Sequence, residues 1–290
     1  MEQKFNINEI PVEQIADHPH VKQKFIDTLC ALHKYSREDA ESIYEKERIY
    51  FIKSLNDPTR KLKECTKITL FSVFIEIAIQ NLSIQDGSKS EAYIESRAVN
   101  VGTRDNKKWE QTARFVITTY GELNLRMRAG QIIRVSNPIV LYEGDHFQPR
   151  TNDRGVLYVE YTPKIPRQSN NIIGSWVAVH LPHGLIDFKW LLQDDIERLK
   201  NYSIPKGRTD GTANALYSSN SNQIDPGFLE TKTIKHAMRA YTKLRLAGNA
   251  VIEQEEFEQE ENFAQPTGTK TEEKANTTVI VEQKQEEEIF

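Results

Sequence analysis

The chain is predicted to be an α+β protein. N-terminal helices, a central antiparallel β-sheet with a hairpin packed against helices, and a disordered acidic C-terminal tail make up the expected plan. Apolar residues recur at helical spacing between residues 12 and 55 and again from Leu70 to Leu82. Residues 91 to 119 alternate as a strand pair. Charge is segregated: residues 253–290 hold twelve acids and three lysines, a net of −9, and the remaining 252 residues hold 30 acids and 35 bases, a net of +5.

The elements follow in order. Val21, Phe25, Leu29 and Leu32 mark one face of a first helix. Ser36 caps a second, with Glu38 and Asp39 in its first turn, and Asn56-Asp-Pro58 ends it. Leu70 to Leu82 is a third helix, apolar enough to be buried, and Asp86-Gly87 is a turn. Tyr93 to Val99 leads up a hairpin, Arg104-Asp-Asn-Lys-Lys108 forms its tip, and Thr112 to Thr118 returns. Tyr120 to Ala129 is a short helix stopped by Gly130. Ile132 to Leu141 is a strand that Pro138 confines to an edge or bends. Val156 to Tyr161 and Ile172 to Leu181 are strands, and Leu191 to Asn201 is a helix. Residues 203 to 226, rich in Ser, Asn and Gly, read as a mobile loop. Gly227 to Gly248 reads as one long helix closing the folded part. From Glu253 onward high charge and sparse apolar content predict disorder.

Several chemistries find no support. No apolar run approaches the ~20 residues of a membrane helix, and the N-terminus lacks a signal-peptide apolar segment. Cys30 and Cys65 lack CxxC spacing and read as reduced, buried thiols of a cytoplasmic protein. There is no GxxxxGK[ST], GxGxxG or GxSxG. His18 with His20 and His180 with His183 lack a nearby third ligand. Asp194-Asp195 fits the acid-favouring start of a helix better than a nuclease metal site. No catalytic residue, metal site or cofactor is expected, and the protein is not read as an enzyme.

The bases carry the functional signal. On the Gly227–Gly248 helix, Ile234, Met238, Tyr241 and Leu244 would face a core, while Lys232, Lys235, Arg239 and Lys243 form a second stripe with no acid in it. Such a stripe either tracks a phosphate backbone or is a solvated helix face. Arg97, Arg104, Lys107, Lys108, Arg114, Arg126, Arg128 and Arg134 face only Asp105, Glu110 and Glu122 over the same stretch. Trp109 beside two lysines is either a base-stacking group or a core residue closing the hairpin. Arg126 and Arg128 splay, one toward solvent and one toward a groove.

The run Arg114-Phe-Val-Ile-Thr-Thr-Tyr-Gly-Glu-Leu-Asn-Leu-Arg-Met-Arg-Ala-Gly130, followed by Val140-Leu-Tyr-Glu-Gly-Asp-His-Phe147, resembles the RecT family of phage single-strand annealing proteins. Ile172 to Val179, Ile196-Glu-Arg-Leu-Lys-Asn-Tyr-Ser203 and Phe228 to Leu246 resemble its later motifs in order, so the likeness spans roughly residues 66 to 248. Gly121 carries over from the family's "GYKG", whereas Tyr120 stands where the family has lysine. Asn81-Leu-Ser-Ile84 is a loose match to its "GLEP".

The resemblance implies ATP-independent binding of single-stranded DNA and annealing of complementary strands in phage or prophage recombination, inside a bacterial cytoplasm. The alternative is a protein that protects single strands without pairing them. Contacts are expected at Arg97, Lys107, Lys108, Trp109, Arg114, Arg126, Arg128, Lys200, Tyr202, Lys232, Lys235, Arg239 and Lys243. Expected partners are single-stranded DNA, the annealed duplex intermediate, other copies in a ring or filament, and a phage exonuclease or host single-strand-binding system. Residues 1–56 are a candidate oligomerisation region, 57–252 the DNA-binding core and 253–290 the tail. The ending Glu286-Glu-Glu-Ile-Phe290 resembles the acidic tip of bacterial single-stranded-DNA-binding proteins, which would make Ile289 and Phe290 a docking point. The tail could equally lie over the basic groove or act only as a solubilising segment.

Overall fold

The computed structural model describes residues 5–103, 106–204, 212–244, 246 and 250–253. The architecture is α+β, in two lobes. The N-terminal lobe holds α1 (Pro19–His33), α2 (Arg37–Asn56), α3 (Lys67–Gln80) and the hairpin β1 (Ala92–Asn100) and β2 (Trp109–Ile117). Helix α4 (Thr119–Arg128) leads into the second lobe. There β3 (Arg134–Val135), β4 (Ile139–Tyr142), β5 (His146–Thr151), β6 (Leu157–Thr162), β7 (Ile172–His180) and β8 (Ile186–Leu192) precede α5 (Gln193–Tyr202) and α6 (Pro226–Met238). Strand β9 (Val251–Ile252) returns to the first lobe and runs parallel to the end of β2.

Local chemistry sets the helix starts. The Ser36 hydroxyl accepts from the Asp39 amide at 3.1 Å and Asp225 accepts from Phe228 at 2.9 Å, each satisfying an amide the helix leaves unpaired. Phe25, Phe51 and Tyr44 surround Phe74 of α3, with centroids 4.8 to 6.2 Å from it. Each such ring contributes about 1.5–3 kcal/mol by leaving water. The Tyr44 hydroxyl donates to Ala16 at 2.7 Å, and burial pushes its pKa up to about 12. This core also takes Ile94, Ala113, Phe115 and Ile117 from the inner face of the hairpin, so α1 and α2 share one core with α3 and the sheet. Leu32, expected on the buried face of α1, is 56% exposed and lies in the last turn of the helix.

In the second lobe β7 is central. β8 pairs with one of its edges, and β3 and β4 pair in succession with the other. The strand expected over Ile132–Leu141 is thus split around Pro138 and lies at an edge. Helix α6 packs on one face through Ile234, Ala237 and Met238 against Val177 and Val179. The β5–β6 hairpin meets the other, where Phe147 and Tyr161 approach the cross-strand pair Trp176 and Trp190.

Three expectations change. Strands β5 and β8 were not anticipated. Of the segment 203–226, residues 205–211 lie outside the described residues, while Tyr217 and Ile224 are buried beside Leu229, so the part after 212 is packed rather than a mobile loop. The last helix ends at Met238 instead of running to Gly248. Arg239, Ala240 and Tyr241 each bond three residues back, tightening the turn. Arg126 then holds the Thr242 carbonyl and Tyr241 reaches Asp187, so tertiary bonds override the helical spacing.

Candidate nucleic-acid interface

The β1–β2 hairpin presents its tip to solvent. Asn100 closes it: its side-chain oxygen accepts from the Gly102 amide at 3.1 Å and the Lys108 amide at 3.0 Å. A Cβ at Gly102 would lie 2.1 Å from the Asn106 carbonyl, so only glycine allows this close return. The result sets exposed Lys107 and Lys108 beside Trp109, which is 62% exposed. Trp109 therefore does not close a core. Lys108 pairs with Glu110 at 2.8 Å. Exposed Arg97 faces Thr112 in register, and half-buried Arg114 faces Glu95. Arg104 lies outside the described residues.

The start of α4 is welded to β1. Thr118 caps the helix by accepting from the Gly121 amide, and a Cβ at Gly121 would sit 2.0 Å from the Glu91 carbonyl. Tyr120 is half-buried, with the Lys89 ammonium 5.8 Å from its ring centre.

Two expected contacts, Arg126 and Lys235, are turned inward, and a third, Arg128, is exposed but tied at its tip to a backbone carbonyl. Arg126 is 4% exposed. Its Nε and Nη2 donate to Glu122, and its Nη1 donates to Gln131 at 2.6 Å and to the Thr242 carbonyl at 2.9 Å. Its guanidinium is spent on joining α4 to the chain after α6, and it does not line an open groove. Arg128 donates to the Gln80 carbonyl at 3.0 Å, where the C-terminus of α3 leaves carbonyls that attract a cation. Lys235 is 7% exposed and bonds the Glu253 carbonyl, with the Glu253 carboxylate 3.9 Å away. The stripe expected on the last helix is therefore interrupted at Lys235, and the acid that meets this lysine comes from eighteen residues further on.

The same Glu253 accepts from Tyr93 at 3.3 Å, and its amide donates to Ile117 at 2.8 Å. Burial first, and then the nearby carboxylates, push the Tyr93 hydroxyl pKa up. Glu253, expected at the start of a disordered tail, is instead bound to both lobes. Residues 254–290, including Ile289 and Phe290, lie outside the described residues.

The other expected residues fall in the second lobe. Lys232 is half-buried with its ammonium 5.1 Å from the Phe228 ring centre. Lys200 and Tyr202 are half-buried near the end of α5, while Arg239 and Lys243 are exposed. Lys243 borders a cleft of about 570 Å³ with Gln80, Leu125, Ala129, Gln131 and Thr242. Sequence reasoning did not weigh Lys189 of β8, Arg198 of α5 or His236 of α6, three further bases of the second lobe. The alternation Ile186, Phe188, Trp190 was the signal for the strand that carries Lys189.

The other groups weighed for chemistry have structural roles. His18 caps α1 through Nδ1, which accepts from the His20 amide at 3.2 Å, and the His20 ring stacks on Phe5. Asp195 accepts from the Leu192 amide at 3.2 Å at the start of α5. Burial raises the Cys65 thiol to about 11, well into the unreactive range.

An α+β fold thus presents exposed cations at the hairpin tip and after α6. A model of the RecT family matches residues 45–267, and the chain belongs to that family. Its members act in DNA recombination by single-strand annealing. No curated protein matches the chain. Residues 1–44 fall outside the family match although α1 and α2 contribute to the core of the matched region. Among the described residues no helix is long and apolar enough to cross a membrane.

Proposed function

We propose that this protein binds single-stranded DNA and anneals complementary strands without ATP, making and breaking no covalent bond, in the cytoplasm of a bacterial host. The RecT match over most of the chain carries the reading. Exposed cations reduce repulsion between phosphate chains, and a strand held extended has its bases free to pair. The hairpin tip is the proposed stacking point, because Trp109 offers an open ring beside Lys107 and Lys108. Sequence selection then comes from base pairing. Several copies in a ring or filament would align two strands over many nucleotides, with an exonuclease or a host single-strand-binding system as a further partner.

Annealing of complementary oligonucleotides without ATP or metal tests the activity. Paired product supports the reading, protection without pairing supports a strand-protecting protein, and shortened strands would reveal a nuclease. Trp109→Ala is expected to weaken single-strand affinity by about 1–3 kcal/mol, as for a stacked base. A folded variant with wild-type affinity would remove Trp109 from the contact.

A further inference from the structure

The two edges of the β1–β2 hairpin differ. The Val101 amide donates to Lys108 at 2.8 Å, and antiparallel alternation carries this pattern back through Val99, Arg97, Glu95 and Tyr93, whose backbone groups face β2. The residues between them face away from the pair. On β2 the outward groups are taken. The Thr66 amide donates to Gln111 at 2.9 Å, the Ala113 amide to the Thr69 hydroxyl at 3.0 Å, and the Glu253 amide to Ile117 at 2.8 Å. On β1 the Ala92 amide donates to Ser83 at 3.2 Å, and beyond it the edge is open. The amides and carbonyls of Ile94, Ser96 and Ala98 have no partner among the described residues, and Arg97, Ala98 and Val99 are exposed. An uncovered edge of this kind is a template for one more strand.

The chain leaves the described fold at the base of this hairpin, where Glu253 holds Ile117 and accepts from Tyr93. Residues 254–276 follow, 23 in all, with a reach of roughly 75 Å when extended. Passing from β9 across β2 and β1 takes three strand spacings, about 14 Å, and the nine residues of β1 run about 30 Å. Then come Thr277, Thr278, Val279, Ile280 and Val281, five β-branched residues in succession within an acidic stretch. Glu282, Glu286, Glu287 and Glu288 follow them, with Lys284 as the one base. We propose that residues 277–281 add to the open edge of β1 as a further strand, and that the acids after them cover the basic hairpin tip when DNA is absent. A strand running from the base of the hairpin to its tip sets those acids beside exposed Lys107 and Lys108. The tether favours this segment over a second copy, since a linker of this length keeps it at about millimolar effective concentration. The competition with DNA rests on the single-strand-binding reading above, in which the same tip meets the strand.

The test is amide hydrogen exchange of the full chain without DNA, read residue by residue by NMR. The Ser96 and Ala98 amides point away from β2, so only a further strand protects them. In the wild type they should exchange at least about tenfold more slowly than in Val279→Pro with Ile280→Pro, which removes two strand amides of opposite facing. Free exchange at Ser96 and Ala98 in the wild type overturns the strand, whatever the variant does. Protection that survives the two prolines, or that grows with protein concentration, gives the edge to another copy and overturns it too. Anisotropy of a labelled oligothymidylate reads the competition. At low salt the double-proline variant should bind about fivefold more tightly than the wild type, which is what two exposed ion pairs supply. The gain should shrink as salt rises. An unchanged low-salt affinity overturns the competition. A wild type that does not bind the oligonucleotide overturns the single-strand-binding reading and the competition with it, while the exchange result still decides the strand.

Discussion

Replacing Arg126 by methionine separates a structural clamp from a DNA contact. Methionine keeps the apolar stem and removes every donor. Arg126 and Glu122 are 4% and 5% exposed, so the variant leaves the Glu122 carboxylate inside the protein without its cation. Breaking one side of such a pair costs about 3–5 kcal/mol. The Thr242 carbonyl is less affected, because Gln131 also reaches it at 3.4 Å and bonds the Thr242 hydroxyl at 3.0 Å. At about 2–4 °C per kcal/mol for a body of this size, melting should fall by on the order of 10 °C. Urea unfolding gives the free energy directly. Glu122→Leu combined with Arg126→Met should recover most of the loss, since an apolar pair removes the stranded charge. Oligonucleotide affinity of the folded double variant should stay near wild type. The clamp is refuted if Arg126→Met unfolds within about 1 kcal/mol of wild type while its affinity for single strands collapses.

Lys235→Met should release Glu253 and cost about 1–3 kcal/mol through the polar groups left without a partner. Hydrogen exchange should then accelerate at the Glu253 amide, which bonds Ile117. The salt slope of strand binding should not change, and a slope that drops would return Lys235 to the DNA surface. Glu47 tests the pH response of the first lobe. It accepts from the Ser83 hydroxyl at 2.7 Å and the Ile84 amide at 3.0 Å, yet burial raises its pKa above 4.5. A folded value above the unfolded one means that its contribution is fully present below about 4.5 and is lost as pH rises through the folded value. Glu47→Gln keeps an acceptor for Ile84 and should flatten that decline in urea unfolding. A decline as steep as in wild type would rule Glu47 out as its source.

Local signals were readable wherever one segment contained its own explanation. The Ser36 cap, the Asn56-Asp57-Pro58 stop, the positive φ of Gly130 and the two strands of the hairpin all follow from neighbouring residues. Strand β5 was hidden because Pro149 interrupts His146–Thr151, and a two-stranded ribbon tolerates it at an edge. The last helix was overextended because its spacing continues through Tyr241 and Leu244. Nothing near Thr242 reveals that Arg126, 116 residues earlier, will hold its carbonyl.

The same limit explains which bases were misread. A lysine or arginine on a charged helix has the same local appearance whether it meets water, DNA or a buried carbonyl. Here the partners decide. Arg126 spans from α4 to the chain after α6, and Lys235 spans from α6 to the chain beyond β9. Both side chains, cationic and buried, tie segments that are distant in sequence, one at each end of the closing stretch from Arg239 to Glu253. Fixing those ends leaves Arg239 and Lys243 outside, on a backbone anchored by its own carbonyls. On the function proposed above, such a surface takes its shape from its buried cations and its contacts from its exposed ones. Removing Arg126 or Lys235 should therefore register first in unfolding, whereas removing Arg239 or Lys243 should register first in the salt dependence of binding.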